Sequence, residues 1–471
     1  MRLLIRLQRV SGIWLLVIAT AIVTAALPVV AWSAGDTASA HWVPSPVQTI
    51  YRQGVPQVDG RGRVLLRYVP GRSFLPIAIY QVPLPGVTYG YKYSWSVLKN
   101  AGFNTVWAWY GHPRRTLTAA AKAGLHVILI TAQTPALLRE IRSNPHVLAN
   151  VWRDEPPTIP SSSVNIEGLF RQFVHYKHAV SRIDPHLLVF VNDTDWITPP
   201  SRYWWVKWDQ ANDIACADDY EPNNRVRMAS LAADPCGIPQ VVSLEVRLAQ
   251  QRKPVWMTVG AYQQLGPPPP HGGFAGRFPS PTRLRAEVYA AIISGATGIS
   301  YFCWDNYIAR SATCVGISPD PRVAYVPDPQ KPGYPKPHPA TPMELVQSRA
   351  LWYATTQINH ELIRLTPEIL SPTIGAQVDY KVAVKGQLGA ATSLRCLLKP
   401  DPHGGYVLLT VNLGDTVLTA RYTFSQPLRE VAPMFENRQP RTFQSPVTTF
   451  KVRYYPIETR IFHLWPCSGD R

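Results

Sequence analysis

The sequence predicts an α/β protein in which a (β/α)8 barrel precedes a smaller, sandwich-like all-β domain. Three observations lead to this prediction: eight short apolar runs between about residues 75 and 305, helical patterns between them, and alternating strands after about residue 370. The chain has 471 residues, of which 46% are hydrophobic and 16% charged, so a disordered chain and a coiled coil are both excluded. A chain of this length is expected to form one large and one smaller domain.

The eight apolar runs are predicted to be parallel strands, because a strand covered on both faces is apolar at nearly every position. They are Leu75–Tyr80, Thr105–Trp109, His126–Thr131, Leu148–Trp152, Leu187–Asn192, Asp213–Ala217, Pro254–Val259 and Gly298–Trp304. The predicted helices are Trp95–Ala101, Leu117–Ala123, Pro135–Ser143, Val164–Ile183, Arg202–Gln210, Val241–Arg252, Pro281–Ser294 and Pro342–Leu365.

Glycines follow three of these helices directly, at Gly102, Gly124 and Gly295. Glycine just past a helix end adopts the left-handed cap that a short helix-to-strand turn requires. The main alternative is a doubly wound open sheet, but no GxGxxG motif follows the first strand. The barrel is therefore the preferred architecture, over residues 75–368.

The C-terminal region changes to strands of period two. These are Tyr406–Val411, Ala420–Phe424, Thr448–Tyr454 and Thr459–Leu464. They predict an accessory β domain over residues 369–471. Residues 41–74 form a lead-in segment before the barrel, and their sequence pattern predicts neither helices nor strands for it.

The first 40 residues read as a secretory signal peptide or an N-terminal anchor. Arg2, Arg6 and Arg9 precede the apolar stretch Gly12 to Trp32, and small residues follow. The apolar stretch is long enough to cross a bilayer if it is not cleaved. We therefore expect a secreted or extracytoplasmic protein, touching a membrane only through this segment.

Six cysteines in an exported chain favour disulfides. Pairing neighbours in sequence gives Cys216–Cys236, Cys303–Cys314 and Cys396–Cys467, which is one of 15 possible connectivities. No CxxC spacing occurs, and His175 and His178 lack a third ligand, so neither a metal nor another cofactor is expected.

The chain carries 47 basic and 30 acidic residues, a net charge of +17. Such a balance attracts polyanions, although no block of Lys and Arg stands out. Nucleic-acid binding would rest on charge alone and is not expected. The charge permits an acidic polymer as partner without requiring one.

Acids and aromatic residues recur where the predicted strands end, which is where barrel enzymes place their working residues. Aromatic faces stack on sugar rings, carboxylates and amides bind hydroxyls, and glycosidic cleavage requires two carboxylates flanking the bond. The candidates for substrate binding are Tyr110, Trp152, Asp154, Asp193, Tyr220, Tyr262, Gln263, Trp304 and Asp305, and the catalytic candidates are Glu155 and Asp219.

The run Trp152-Arg-Asp-Glu-Pro156 resembles the Asn-Glu-Pro signature of clan A glycoside hydrolases, in its Asp-Glu-Pro form. This resemblance implies that Glu155 is the general acid/base. The run Ala290–Tyr301 also resembles the approach to the last strand in such enzymes, where Trp304 would stack on the reacting sugar. At the level of fold the resemblance covers roughly residues 75–465, with the accessory β domain included.

One departure concerns the nucleophile, because clan A places a Glu after strand seven and this chain has Gly260-Ala-Tyr262-Gln263 there. Either another acid serves, or the mechanism is inverting, or the protein has lost hydrolysis. Asp219 is the first substitute, as nucleophile or as base for water, followed by Asp305 and Asp193. A second interpretation of Glu155 is a helix cap, and Asp218 or Asp219 could equally be a turn residue.

The sequence thus predicts an exported glycoside hydrolase acting on a poly- or oligosaccharide. The alternative is a non-catalytic carbohydrate-binding protein of the cell surface on a degenerate barrel.

Overall fold

A computed structural model describes most of residues 74–467 and the short paired strands Tyr51–Arg52 and Val55–Pro56. The gaps within the long span are 81, 83, 85–93, 109–112, 131, 143, 160–163, 186, 195–196, 220–236, 251–252, 265–277, 305–313, 320–322, 328–334, 340–341, 371–379, 386–392, 402 and 437–438. The predicted signal segment, Tyr110, Tyr220 and Asp305 lie outside the described residues. Among the described helices, none combines the length and apolarity needed to cross a membrane.

Eight parallel strands form the predicted barrel, in the order β5-β4-β3-β2-β1-β8-β7-β6. The strands are β1 (Ile77–Ile79), β2 (Thr105–Ala108), β3 (His126–Ile130), β4 (Val147–Asp154), β5 (Leu188–Asn192), β6 (Ala215–Asp219), β7 (Val255–Gly260) and β8 (Gly298–Phe302).

Helices connect these strands on the outside of the barrel. They are α1 (Ser96–Asn100), α2 (Pro113–Ala123), α3 (Pro135–Ile141), α4 (Ile166–Ile183), α5 (Arg202–Ala211), α6 (Ile238–Ala249), α7 (Pro281–Ser294), α8 (Pro342–Arg364) and α9 (Thr366–Leu370). The predicted alternation of strand and helix is confirmed.

The three glycines predicted as helix caps all adopt the left-handed conformation, with φ of 80° at Gly102, 66° at Gly124 and 114° at Gly295. At Gly102 a second constraint acts, because an added Cβ would lie 2.8 Å from the Cβ of Asn359 on α8. Glycine here therefore allows both the turn into β2 and the close approach of α8.

The barrel closes between β5 and β6 along a seam that differs from the other strand pairs. In the described residues the backbone links across it are one bridge, Asp193 to Ala217, and a hydrogen bond from the Asp213 N–H to the Val189 carbonyl at 3.0 Å. Side chains supply further links: Asn212 Oδ1 accepts from the Val191 N–H and Asp213 Oδ2 from the Val189 N–H, both at 2.9 Å. The turn between α5 and β6 thus takes the place of part of a strand ladder.

The predicted C-terminal β domain is a half-barrel made from one antiparallel sheet. Its strands are β9 (Tyr380–Lys385), β10 (Leu394–Pro400), β11 (Tyr406–Asn412), β12 (Leu418–Met434), β13 (Arg441–Tyr454) and β14 (Thr459–Pro466). The order is β9-β12-β14-β11-β10, and β13 pairs with β12.

Two hydrophobic cores organise the molecule. The large core fills the barrel and continues through α7 onto Val407, Leu409 and Ile461 of the half-barrel. A second core, which includes Tyr422 and Phe450, fills the concave side of the half-barrel. The C-terminal domain is therefore packed onto the barrel through shared apolar surface.

The predicted disulfide between Cys396 and Cys467 is absent, since both residues are free thiols. Cys396 on β10 is in register with Thr410 on β11, which faces Arg460 on β14. Cys467 lies seven residues beyond Arg460, about 20 Å along the strand direction, far outside disulfide range. Cys216 is also a free thiol, and the side chains of Cys236 and Cys314 lie outside the described part.

Candidate active site

Three carboxylates meet at the C-terminal mouth of the barrel. Asp154 ends β4, Glu155 follows it directly, and Asp218 lies near the end of β6. Asn192, the last residue of β5, donates one amide hydrogen bond to Asp154 Oδ1 at 3.0 Å and another to Asp218 Oδ2 at 2.8 Å. This amide therefore holds two acids from two non-adjacent strands in one place.

The orientation of the Asn192 amide is fixed by a third contact. Cys216 Sγ on β6 lies 3.2 Å from Asn192 Oδ1 and donates to it. Because the amide oxygen is occupied in this way, both hydrogens of the nitrogen face the carboxylates. The buried Cys216 thiol thus acts as a support for the acids.

Glu155 is placed by an unusual backbone conformation. Its φ is 44°, in the left-handed region that non-glycine residues rarely occupy. Its N–H donates to the Asn192 carbonyl at 2.9 Å, so the turn is anchored to β5. The side chain reaches solvent and hydrogen bonds to Asp218. Strained backbone at such a position is typical of functional sites.

The acids influence one another's ionisation. Burial, followed by the negative charge of Glu155, raises the pKa of Asp154 to about 7, while the Asn192 hydrogen bond lowers it. Partial burial raises the pKa of Glu155, and its hydrogen bond with Asp218 lowers it. Three like charges so close together oppose full ionisation, so the cluster retains a proton near neutral pH.

An aromatic floor lies under the acids. The Tyr80 ring at the end of β1 stacks on Trp107 of β2, with ring centroids 3.9 Å apart, and burial raises the pKa of its hydroxyl well above the ordinary value. Phe190 packs its ring edge-on against Trp107 and Trp256. This floor excludes water from one side of the carboxylates and is a cause of the burial that raises their pKa values.

Asp219, the predicted partner of Glu155, occupies the other face of β6. Successive side chains alternate along a strand, so Asp219 points away from the face on which Asp218 meets Asn192. It is 2% exposed. The structure therefore brings Asp218, and not Asp219, to Glu155.

Asp193 is likewise placed away from the mouth. It is buried beside Asp209 of α5 and Lys253, with Glu245 of α6 close by. Burial, followed by the charge of Asp209, raises the pKa of Asp193 well above its ordinary value. This set of four residues, the outer acid cluster, lies between the barrel wall and its helices.

Two predicted aromatic platforms are core residues in the structure. Trp152 packs against Phe173 of α4 and Trp208 of α5, with ring centroids 5.5 and 6.2 Å away. Trp304 is 1% exposed and packs edge-on against Trp352 of α8. Trp304 therefore presents no free face for a sugar, whereas Trp152 is partly exposed.

The predicted residues after β7 lie next to the strand-eight end. Tyr262 packs edge-on against Phe302, and Gln263 is nearly buried. Neither supplies the carboxylate that is missing from strand seven. Within the described residues, no three His, Cys, Asp or Glu side chains are arranged to hold a metal ion.

Sequence reasoning missed Asp218, Asn192 and Tyr80. The predicted sixth strand ended at Ala217, whereas β6 continues to Asp219. With the longer strand, alternation would have placed Asp218 on the face opposite to Asp219. No sequence signal indicated the Asn192 bridge, because it depends on the closure of the barrel.

No protein-family profile matches the chain, and no curated protein matches it. A GH42 β-galactosidase from G. stearothermophilus shares the fold with a TM-score of 0.52 and 8% identity, over 85% of this chain and 99% of that one. This chain therefore shares the fold of that enzyme, an eight-stranded parallel barrel followed by a C-terminal antiparallel β domain.

Two further solved structures match less closely, both with TM-scores of 0.47. A GH27 β-L-arabinopyranosidase from Geobacillus stearothermophilus is 10% identical, over 85% of this chain and 98% of that one. A family 39 glycoside hydrolase from Bacteroides cellulosilyticus is 9% identical, over 87% of this chain and 83% of that one. At such identities the likeness concerns the fold and not the site.

Proposed function

We propose that this protein is an exported glycoside hydrolase acting on a poly- or oligosaccharide, with Glu155 and Asp218 as its carboxylate pair. The observation that carries the proposal is the bridge made by Asn192 at the barrel mouth: its amide holds Asp154 and Asp218 together, and its carbonyl accepts from the Glu155 N–H. Export rests on the N-terminal segment alone.

The short separation of the pair favours a retaining mechanism. Carboxyl groups in retaining enzymes lie about 5–5.5 Å apart, and inverting enzymes separate them by about 6.5–9.5 Å to admit a water. The interaction that lowers the pKa of Glu155 brings Asp218 closer than either range, so the two side chains must separate to admit a sugar, and the retaining spacing requires the smaller movement.

The reaction then follows two steps. Glu155 donates its proton to the glycosidic oxygen as the Asp218 carboxylate attacks the anomeric carbon, so the leaving sugar departs as an alcohol and a glycosyl ester forms. Glu155, now ionised, removes a proton from water, which attacks the anomeric carbon and releases Asp218. The Asn192 amide stabilises the ionised form of Asp218 between turnovers.

Replacing either member of the pair should abolish most activity. We expect Glu155→Gln and Asp218→Asn each to lower kcat by about 10²–10⁴-fold, because each removes a proton donor or nucleophile. Reducing-sugar release from a broad glycan panel measures this, and NMR of the first product should show retention of the anomeric configuration.

Asp219→Asn is the matched control, since it changes the neighbouring acid on the other face of β6. It should retain wild-type kcat within a few fold. Wild-type rates in Glu155→Gln would contradict the proposal, and loss in Asp219→Asn alone would move the partner role to that residue.

A non-catalytic carbohydrate-binding protein is the second candidate. The absence of an acid after β7, at Gly260-Ala-Tyr262-Gln263, favours it. Sugar binding by the wild type without any product release across the panel would support this candidate over the hydrolase.

A further inference from the structure

The half-barrel presents a row of cations on its solvent side. Arg421 on β12 lies directly opposite Lys451 on β13, and Thr419 lies opposite Arg453. On the other neighbour of β12, Thr419 also lies opposite Lys385 of β9. Because opposed residues share a face of the sheet, Lys385, Arg421, Lys451 and Arg453 project on the same side.

That side faces solvent. The alternate residues Ala420, Tyr422 and Val452 are buried in the second core, and the four cations between them are exposed. The positions of the charges are therefore set by a packed sheet and not by loop conformation. We call these four residues together with Arg441 the cationic sheet face.

Arg441 belongs to the same face through its side chain. Its Nη1 donates to the Lys451 carbonyl at 3.3 Å, which brings a fifth positive charge beside Lys451. Arg453 lies 5.6 Å above the ring of Tyr455, which is 52% exposed at the end of the face. Threonine hydroxyls stand between the cations, and Thr449 donates to Thr423 at 3.3 Å.

These charges are not neutralised within the described part of the protein. None of the five cations forms an ion pair with a described acid. Glu458 lies beside Tyr455, but it already accepts from the Tyr455 N–H and from Arg460. Like charges directly opposite on a sheet are destabilising, so Arg421 and Lys451 repel each other when nothing binds.

We propose that the cationic sheet face binds an anionic polysaccharide, meaning a glycan carrying carboxylates or sulfates. The inference rests on the proposed glycosidase function, to which it adds the class of substrate. Cations repeated across neighbouring strands match a polymer with a charge on successive sugars, and the threonines between them can hydrogen bond to sugar hydroxyls.

A nucleic acid fits the described face less well. Single strands bind through aromatic side chains on which successive bases stack. The cationic sheet face carries one aromatic ring, Tyr455, at its edge, with Arg453 above that ring. An acidic glycan requires no such stacking series.

Binding of polygalacturonate, measured by isothermal titration calorimetry at low and high salt, tests the proposal. The variant is Arg421→Ser with Lys451→Ser, and the matched control is Arg171→Ser with Arg182→Ser, which removes two exposed cations from α4. We expect the first pair to raise Kd about 3–10-fold at low salt and the control pair less than twofold. Added salt should weaken wild-type binding by screening.

Equal Kd values for the two double variants would overturn the proposal, as would tighter binding of single-stranded DNA or of phosphatidylglycerol vesicles through the same residues. Performing the titrations in the Glu155→Gln background separates the two proposals. If the cationic-face variants bind polygalacturonate more weakly but the wild type hydrolyses no glycan, the hydrolase proposal is refuted and the proposal of anionic-glycan binding stands. If the wild type hydrolyses a glycan but the variants bind polygalacturonate as the control does, the hydrolase proposal stands and the binding proposal is refuted.

Discussion

A single asparagine side chain determines the geometry of the candidate site. Asn192 accepts from Cys216 and donates to Asp154 and Asp218, so three side chains from β4 and β6 depend on its orientation. None of these contacts is near in sequence. The spacing of the acids is consequently a property of the closed barrel.

The raised pKa of Asp154 predicts how the proposed activity depends on pH. This pKa is raised to about 7, chiefly by burial and then by the charge of Glu155, so Asp154 becomes ionised as pH rises through neutrality. Activity should fall on the alkaline side of the profile, because Glu155, whose pKa is raised by burial, then loses the proton that it donates. In Asp154→Asn the like charge next to Glu155 is gone, and the alkaline limb of the kcat/KM profile should move to lower pH.

The sequence predicted Glu155 at the end of the fourth strand but did not predict Asp218 beside it, and the reason is the predicted end of the sixth strand. Glu155 belongs to a recognisable motif, while Asp218 and Asp219 differ only in which face of β6 they occupy. A prediction that ends the strand two residues early cannot assign faces beyond that point. The prediction that Trp304 stacks on a sugar was wrong, because its buried ring packs against Trp352 of α8.

At the scale of elements, the barrel strands and helices were predictable because each obeys a local rule. Strands covered on both faces are apolar throughout, and glycine ends the helices that precede β2, β3 and β8. The seam between β5 and β6 was not predictable, because Asn212 and Asp213 act there through side chains bonded to a distant strand.

The outer acid cluster between α5, α6 and the barrel wall should make stability depend on pH. Burial raises the pKa values of Asp193 and Glu245, and none of their carboxyl oxygens has a hydrogen-bond partner among the described residues. Each acid holds a proton in the folded state that the unfolded chain releases above about pH 4. The free energy of unfolding should therefore fall as pH rises from about 4 toward neutrality.

Asp193→Asn should raise the free energy of unfolding at pH 7.5 by about 1 kcal/mol, and by less at pH 4.5. Urea denaturation at the two pH values measures this. Glu167→Gln, at an exposed position of α4, is the control and should show no such difference between the two pH values. If Asp193→Asn instead lowers the free energy of unfolding at pH 7.5, the Asp193 carboxylate is stabilised by partners in the folded protein, and the prediction is wrong.

At the scale of the whole molecule, α7 joins the two domains. Arg285 donates to the Thr459 carbonyl of the half-barrel at 2.8 Å and pairs with Glu361 of α8 at 3.0 Å. Tyr289 donates to the same carboxylate at 2.8 Å. These bonds surround the point at which the large core passes from the barrel into the half-barrel.

The chain should therefore unfold in one cooperative transition. Arg285→Ala is expected to lower the free energy of unfolding by about 2–4 kcal/mol without splitting that transition, because it leaves Glu361 without its cation. Differential scanning calorimetry measures both properties, with the exposed Arg182→Ala as control. Two separate transitions in the wild type would show that the domains fold independently.

The seam also sets where the barrel is weakest. A barrel whose strands are all joined by continuous hydrogen-bond ladders would open locally mainly at the ends of its strands. In this barrel few backbone amides form hydrogen bonds between β5 and β6. If β5 and β6 separate transiently, Asn192 loses its hydrogen bond to Asp218 on β6 but keeps its hydrogen bond to Asp154 on β4. Local opening of the barrel between β5 and β6 would therefore also misalign Asp154 and Asp218, so the candidate site would lose its geometry whenever the barrel opens there.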